Sequence, residues 1–173
     1  ITSNLNDIET QAEYIVATGG TETECGNYKI HTFTGPGTFC VSAVGNPLGS
    51  TLVDYLVVAG GGSGGTAGSP RAGGGGSGGY RFSNGTASGC YSAGPARLGA
   101  SALPVTVQGY PVVVGGGAAG VSGPNTKGNQ GSNSIFSSIT STGGGAGGAG
   151  SRTYPCGTGT MDGGNGGSGG GSG

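Results

Sequence analysis

The chain has 173 residues, of which 47 are glycine and none is tryptophan; Val, Ile, Leu and Phe together fill only 28 positions, which excludes the single large aliphatic core of an ordinary enzyme. A net charge of −1 and 8% charged residues argue against a disordered polyelectrolyte, and eight prolines without a strict Gly-X-Y phase exclude collagen. Five acidic and no basic side chains lie in residues 1–24, whereas the rest carries six basic and two acidic ones, too thin a positive surplus for a nucleic-acid partner.

Residues 1–16 place Ile1, Leu5, Ile8, Ala12 and Ile15 at alternating spacings of four and three. That is the stripe of a short coiled coil, and it reads as the end of a stalk or a linker. The chain opens at Ile1 without a basic segment leading into an apolar one, so no signal peptide is expected, and the sequence reads as a piece of a longer or processed product. No apolar run approaches the ~18 residues of a membrane-spanning helix.

Residues 17–59 are expected to form β-strands. Tyr28 to Val44 reads as one hairpin turning at Gly35-Pro36-Gly37. Thr51 to Ala59 reads as a third, more buried strand. Val105-Thr106-Val107, Val112-Val113-Val114 and Ser134 to Thr140 supply three more in the glycine-rich part. Nothing between them reads as a helix, so the expected fold is all-β, a small β-sandwich.

Residues 60–173 form the glycine-rich region, and much of its glycine keeps a three-residue phase. In residues 143–150 Ala146 and Ala149 are three apart; in residues 163–171 Asn165 and Ser168 are; residues 60–68 and 73–80 repeat the pattern with Ser63 and Thr66, and with Ser77 and Tyr80. Three residues per turn is polyproline-II geometry, which has no internal hydrogen bonds. Bare glycine faces let such segments approach until backbone N–H meets backbone C=O. The alternative is a flexible Gly/Ser linker. Four tracts sharing one phase, with strands and aromatic loops between them, favour an ordered, polyglycine-II-like bundle.

Motifs that resemble catalytic ones lack their context. Asp54 to Gly65 matches a strand followed by GxGxxG, but the continuation Thr66-Ala67-Gly68-Ser69-Pro70 is not helical and no acid follows until Asp162. Three GxSxG copies arise from Gly/Ser richness, and the one histidine, His31, precedes them all. We therefore expect no enzyme, no cofactor and no metal. Asn84-Gly85-Thr86 reads as a tight turn rather than a glycosylation site.

Two segments interrupt the glycine with bulky groups, residues 80–97 and 151–162. Their Tyr80, Arg81, Phe82, Tyr91, Arg97, Arg152 and Tyr154 are the candidate receptor-binding residues, because aromatic rings give flat apolar area and arginine a forked donor. Capping of the bundle ends is the plainer role for the rings. The four cysteines, Cys25, Cys40, Cys90 and Cys156, contain no CxxC and allow three full pairings. An even count with so little core fits an extracellular, disulfide-supported fold. We expect Cys90 to bridge Cys156 and Cys25 to bridge Cys40, the second requiring a bend before Tyr28.

The ordered blocks Tyr28 to Thr34, Gly37-Thr38-Phe39, Val53 to Gly62, Gly78 to Arg81, Val112 to Gly117, Gly131 to Phe136 and Ile139 to Gly145 resemble the glycine-rich domain of bacteriophage tail fibres and related virion adhesins. The resemblance runs from about residue 14 to residue 173. It implies a β-sandwich with polyglycine-II-like segments, exposed on a virion and used in host attachment. The partners would be a host cell-surface polysaccharide or outer-membrane protein and other virion fibre proteins, with a homotrimer permitted by the stalk. Such domains usually close with an apolar strand after the last glycine tract, which this chain lacks. A purely structural virion or filament module without a receptor is the first rival. An ice- or mineral-binding protein is the second, and it would need a flat Thr/Ala/Ser face.

Overall fold

The computed structural model describes residues 11–68, 71–85, 99–150 and 161–173. Among these residues there are β-strands and no helix. Strands β1 (Val16–Thr18), β4 (Gly37–Ala43), β9 (Gly109–Val113), β10 (Ser134–Phe136) and β11 (Ile139–Ser141) form one antiparallel sheet, hydrogen-bonded in that order. Three two-stranded antiparallel ribbons accompany it. They pair β2 (Thr21–Cys25) with β3 (Tyr28–Thr32), β5 (Leu52–Val53) with β8 (Leu103–Pro104), and β6 (Leu56–Val58) with β7 (Tyr80–Phe82).

The core follows from alternation along β4. Phe39 and Val41 point inward while Thr38, Cys40 and Ser42 point out, as a period of two requires. Ala17, Phe39, Val41, Val105 and Tyr110 make the buried cluster, and Val53, Leu103, Val112 and Phe136 pack against it. The apolar residues of β5 and β8 thus cover the inner face of the sheet. Phe39 is the hub: Phe136 meets it edge-on at 5.9 Å, His31 edge-on at 5.0 Å and Tyr110 at 6.4 Å between ring centres. The buried Tyr110 hydroxyl accepts the Thr106 N–H at 2.7 Å, so its polar end is satisfied. Ile15, the last member of the proposed stalk stripe, packs against this core. Residues 11–15 are in neither helix nor strand, and residues 1–10 lie outside the described residues.

Four strand expectations are corrected. Val105-Thr106-Val107 is not a strand: it follows β8, which ends at Pro104, and precedes β9. The Tyr28–Val44 segment is not one hairpin: β3 pairs with β2, and β4 pairs with β1 and β9. The tight turn is Gly26-Asn27, where Gly26 takes φ 58°, a value that costs glycine little. The polar run Thr21–Cys25 hides a strand because its residues are exposed and carry no apolar alternation. The Thr51–Ala59 strand is broken at Asp54-Tyr55 into β5 and β6, which take different partners; Leu56 and Val58 are exposed rather than buried. Ser134 to Thr140 is a hairpin rather than one strand, reversing at Ser137 (φ 55°) and Ser138.

The Cys25–Cys40 bridge is also corrected. Cys40 is a free, exposed thiol on the outer face of β4, paired in register with Thr18 and Gly109. Cys25 is disulfide-bonded and stands at the tip of the β2–β3 ribbon. Cys90 and Cys156 lie outside the described residues.

The glycine-rich part is organised around residues 143–150, every one of which is buried. The N–H groups of Gly144, Gly147 and Gly150 donate to the carbonyls of Gly60, Ser63 and Thr66 at 2.8, 2.9 and 3.1 Å. Those of Gly145 and Gly148 donate to Ser168 and Gly171. On other sides the carbonyls of Thr142, Gly145 and Gly148 accept from Gly79, Gly76 and Gly73. Those of Gly144 and Gly147 accept from Gly131 and Gly128, and those of Gly143 and Ala146 from Gly167 and Gly164. In each set the bonded residue recurs every third position, matching the phase of the sequence. None of these stretches is a strand or a helix.

Packing this close leaves no room for side chains. A Cβ on Gly147 would lie 2.1 Å from the Gly73 carbonyl oxygen, and one on Gly145 1.9 Å from that of Gly164. By contrast a Cβ on Gly74 or Gly116 would meet nothing within 4 Å. Gly147→Ala is therefore expected to abolish cooperative thermal unfolding or lower its midpoint drastically, since backbone cannot yield as a side chain does. Gly74→Ala is expected to unfold like the parent or slightly later. Equal melting of the two variants would overturn the assignment of residues 143–150 as the packed centre. Separately, iodoacetamide should alkylate Cys40 in the native protein and Cys25 only after reduction, as peptide mapping would reveal.

Candidate functional site

The β6–β7 ribbon is the first structured step out of the glycine. Strand β6 runs directly into residues 60–66, and β7 follows directly from residues 73–79. The two arms stay bonded beyond the ribbon, through Ala59 N–H to Gly79 O at 2.9 Å, Gly62 N–H to Gly76 O at 2.8 Å and Gly65 N–H to Gly73 O at 2.9 Å. Pairing thus continues while the side-chain period changes from two to three. The second arm is tied in turn to the buried centre through Gly73, Gly76 and Gly79. Tyr80 is therefore the first bulky residue at the end of a backbone-anchored arm.

Register decides what the ribbon shows to solvent. Leu56 lies opposite Phe82, Val57 opposite Arg81 and Val58 opposite Tyr80. Val57 is buried, whereas Leu56, Val58 and Tyr80 are 68%, 56% and 55% exposed and lie across the two strands from one another. The Tyr80 and Phe82 rings stack, 5.7 Å apart and 17° from parallel. Phe82 is the backing ring: a Cβ on Gly99 would come within 2.9 Å of its Cε2. Arg81 Nη1 donates to the Tyr80 carbonyl at 3.2 Å.

Beside the rings opens a cleft of about 630 Å³, lined by Ser77, Tyr80, Arg81, Phe82, Gly167 and Ser168 among others. One wall is the ribbon and the other is the last glycine stretch, held to the first arm's partner by Ser168 N–H to Ser77 O at 3.2 Å. A second open cleft of about 560 Å³ involves Asp54 and Asn84. There the fully buried Ser83 donates its hydroxyl to Asp54 Oδ1 at 2.7 Å and accepts the Tyr55 N–H at 2.9 Å. This serine pins the break between β5 and β6.

The structure brings together Tyr80, Arg81 and Phe82 of the candidate receptor residues. Tyr91, Arg97, Arg152 and Tyr154 lie outside the described residues. Leu56 and Val58 belong to the patch and were not legible as such, because a short apolar run does not reveal which side faces solvent. His31 has a structural place: its Nδ1 lies 2.8 Å from the Gly19 carbonyl and its ring meets Phe39. The glycines of the GxGxxG-like run spend their amides within the fold, Gly60 on Ser132, Gly62 on Gly76 and Gly65 on Gly73. Among the described residues no group of three or more His, Cys, Asp or Glu could hold a metal ion.

Among the described residues the fold is all-β, with glycine tracts bonded backbone to backbone around a buried glycine centre. The chain belongs to the glycine-rich domain family, whose match covers residues 32–173. No curated protein and no solved structure matches it.

Phe39→Ala should cost about 3–5 kcal/mol in chemical denaturation, the usual cost of emptying an aromatic site in a core. Tyr80→Ala should cost about 1 kcal/mol, the scale of a lost exposed ring pair. Costs in the reverse order would show that the Tyr80 ring belongs to the core rather than to a surface site.

Proposed function

We propose that this glycine-rich domain is a non-enzymatic adhesin module of a bacteriophage tail fibre or tail tip, displayed on the virion surface and used to attach to the host cell. The reading rests on the resemblance of its ordered blocks to such domains. The observation that carries it is the exposed Tyr80 ring, stacked on the half-buried Phe82 and flanked by Leu56 and Val58, on a ribbon whose arms are anchored by backbone bonds. Rigid presentation of aromatic area is what a recognition surface needs, because little conformational entropy remains to be lost on binding.

The glycine tracts are read as polyglycine-II-like helices, supported by bonded positions that recur every third residue on several sides of residues 143–150. The five-stranded sheet, with β5 and β8 over its inner face, is read as a small β-sandwich. The partners proposed are a host cell-surface polysaccharide or outer-membrane protein, other virion fibre proteins, and two further copies of the chain in a homotrimer. Nucleic acid is not among them.

Adsorption of the fluorescently labelled, folded chain to a panel of bacterial strains tests the reading. Saturable, strain-selective binding that falls at least tenfold with Tyr80→Ala is expected. Binding to no strain, by chain in its native oligomeric state, would replace this reading with a purely structural virion or filament module.

A further inference from the structure

We infer that the cleft beside the β6–β7 ribbon takes a saccharide carrying an acidic group, stacked on Tyr80 and held by Arg81. The inference deepens the attachment reading and rests on it for its biological sense.

The chemistry of the lining selects the ligand. Tyr80 presents a flat ring more than half exposed, backed by the nearly parallel Phe82 ring. Such a surface fits the apolar face of a sugar ring, and the exposed Val58 directly opposite Tyr80 extends it. Ser77 and Ser168 line the same cleft, and neither hydroxyl makes a hydrogen bond among the described residues. They stand ready to exchange hydrogen bonds with sugar hydroxyls, each as donor and acceptor. Gly167 contributes bare backbone to the facing wall, so a bulky ring can approach it closely.

The charge is specified by Arg81. By register it stands on the Val57 side of the ribbon, but its guanidinium turns back to the Tyr80 carbonyl and it lines the cleft; it forms no ion pair among the described residues, whose ion pairs both centre on Glu22. Among the described residues its one side-chain hydrogen bond, from Nη1 to the Tyr80 carbonyl, leaves the other guanidinium donors of the fork available. No carboxylate lines the cleft among the described residues. A planar fork without a counter-charge suits a carboxylate or phosphate ester on the bound sugar. A neutral glycan would use the ring and the hydroxyls but leave the cation unanswered, and an apolar peptide would use the ring but leave the hydroxyls unanswered.

The test is a printed array of oligosaccharides in three arms, uronate-bearing, phosphate-bearing and neutral, probed with the labelled full chain and with Tyr80→Ala, Arg81→Gln and Arg81→Lys. Thermal melting of each variant would establish that it is folded. The expected result is binding to one acid-bearing arm about tenfold or more tighter than to the neutral arm, the scale of a charge-assisted hydrogen bond. Arg81→Gln should bring binding to the acid-bearing arm down to the level of the neutral arm, Arg81→Lys should keep part of the preference, and Tyr80→Ala should abolish binding to all arms. The arm retained tells carboxylate from phosphate. Equal binding to acidic and neutral arms, or an acid preference that survives Arg81→Gln, would overturn the inference. So would binding to no arm. If cells were still bound in that case, attachment would stand and its target would be a protein surface. Acid-bearing saccharide bound without adsorption to any strain would keep the inference and remove the attachment reading.

Discussion

Everything in the glycine-rich part depends on backbone meeting backbone at residues 143–150. Eight consecutive buried residues there carry no side chain larger than the methyl groups of Ala146 and Ala149, so burial of apolar side chains cannot be the main force holding them. What replaces it is a set of hydrogen bonds on several sides, repeated every third residue. Each contributes only about 1 kcal/mol net, and ordering glycine costs more than ordering any other residue. Stability therefore requires that nearly all the bonds form together. The close approach that permits them also forbids a Cβ at most positions, which makes glycine a packing requirement and not a source of flexibility.

The apolar core is the complementary device. It is small, and it gathers aromatic rings around Phe39 of β4 from three other strands, β3, β9 and β10. It fixes the one large sheet, and β10 and β11 of that sheet lead straight into residues 142–150. The conventional core thus sets the starting point and direction of the glycine centre. Neither part has the means to be stable in the ordinary way: the first has few apolar residues, the second almost none. Their continuity along the chain lets each restrict the freedom that the other must overcome.

The candidate site uses that arrangement. A two-stranded ribbon is marginal by itself, yet β6 and β7 are extended at one end by arms bonded to each other and to the buried centre. This allows Leu56, Val58 and Tyr80 to face solvent without the ribbon having to bury them for its own stability. The last glycine stretch closes the other wall of the cleft through Ser168. Recognition and scaffold are consequently inseparable: the residues that would touch a partner sit where a period of two gives way to a period of three.

Composition and residue spacing together excluded a large aliphatic core, pointed to short strands and set the three-residue phase of the glycine. These are local properties, set by side-chain size and spacing. Tyr80, Arg81 and Phe82 were legible as a bulky interruption of glycine for the same reason. Only the tertiary structure decided which strands pair, because pairing partners are chosen by register and burial across long loops. The polar Thr21–Cys25 strand, the split at Asp54-Tyr55 and the separation of Cys25 from Cys40 all follow from that choice. It also decided that residues 143–150, and not the other tracts of the same composition, lie at the centre. Four tracts share one phase in the sequence; which of them is surrounded depends on where the strands at its ends are held.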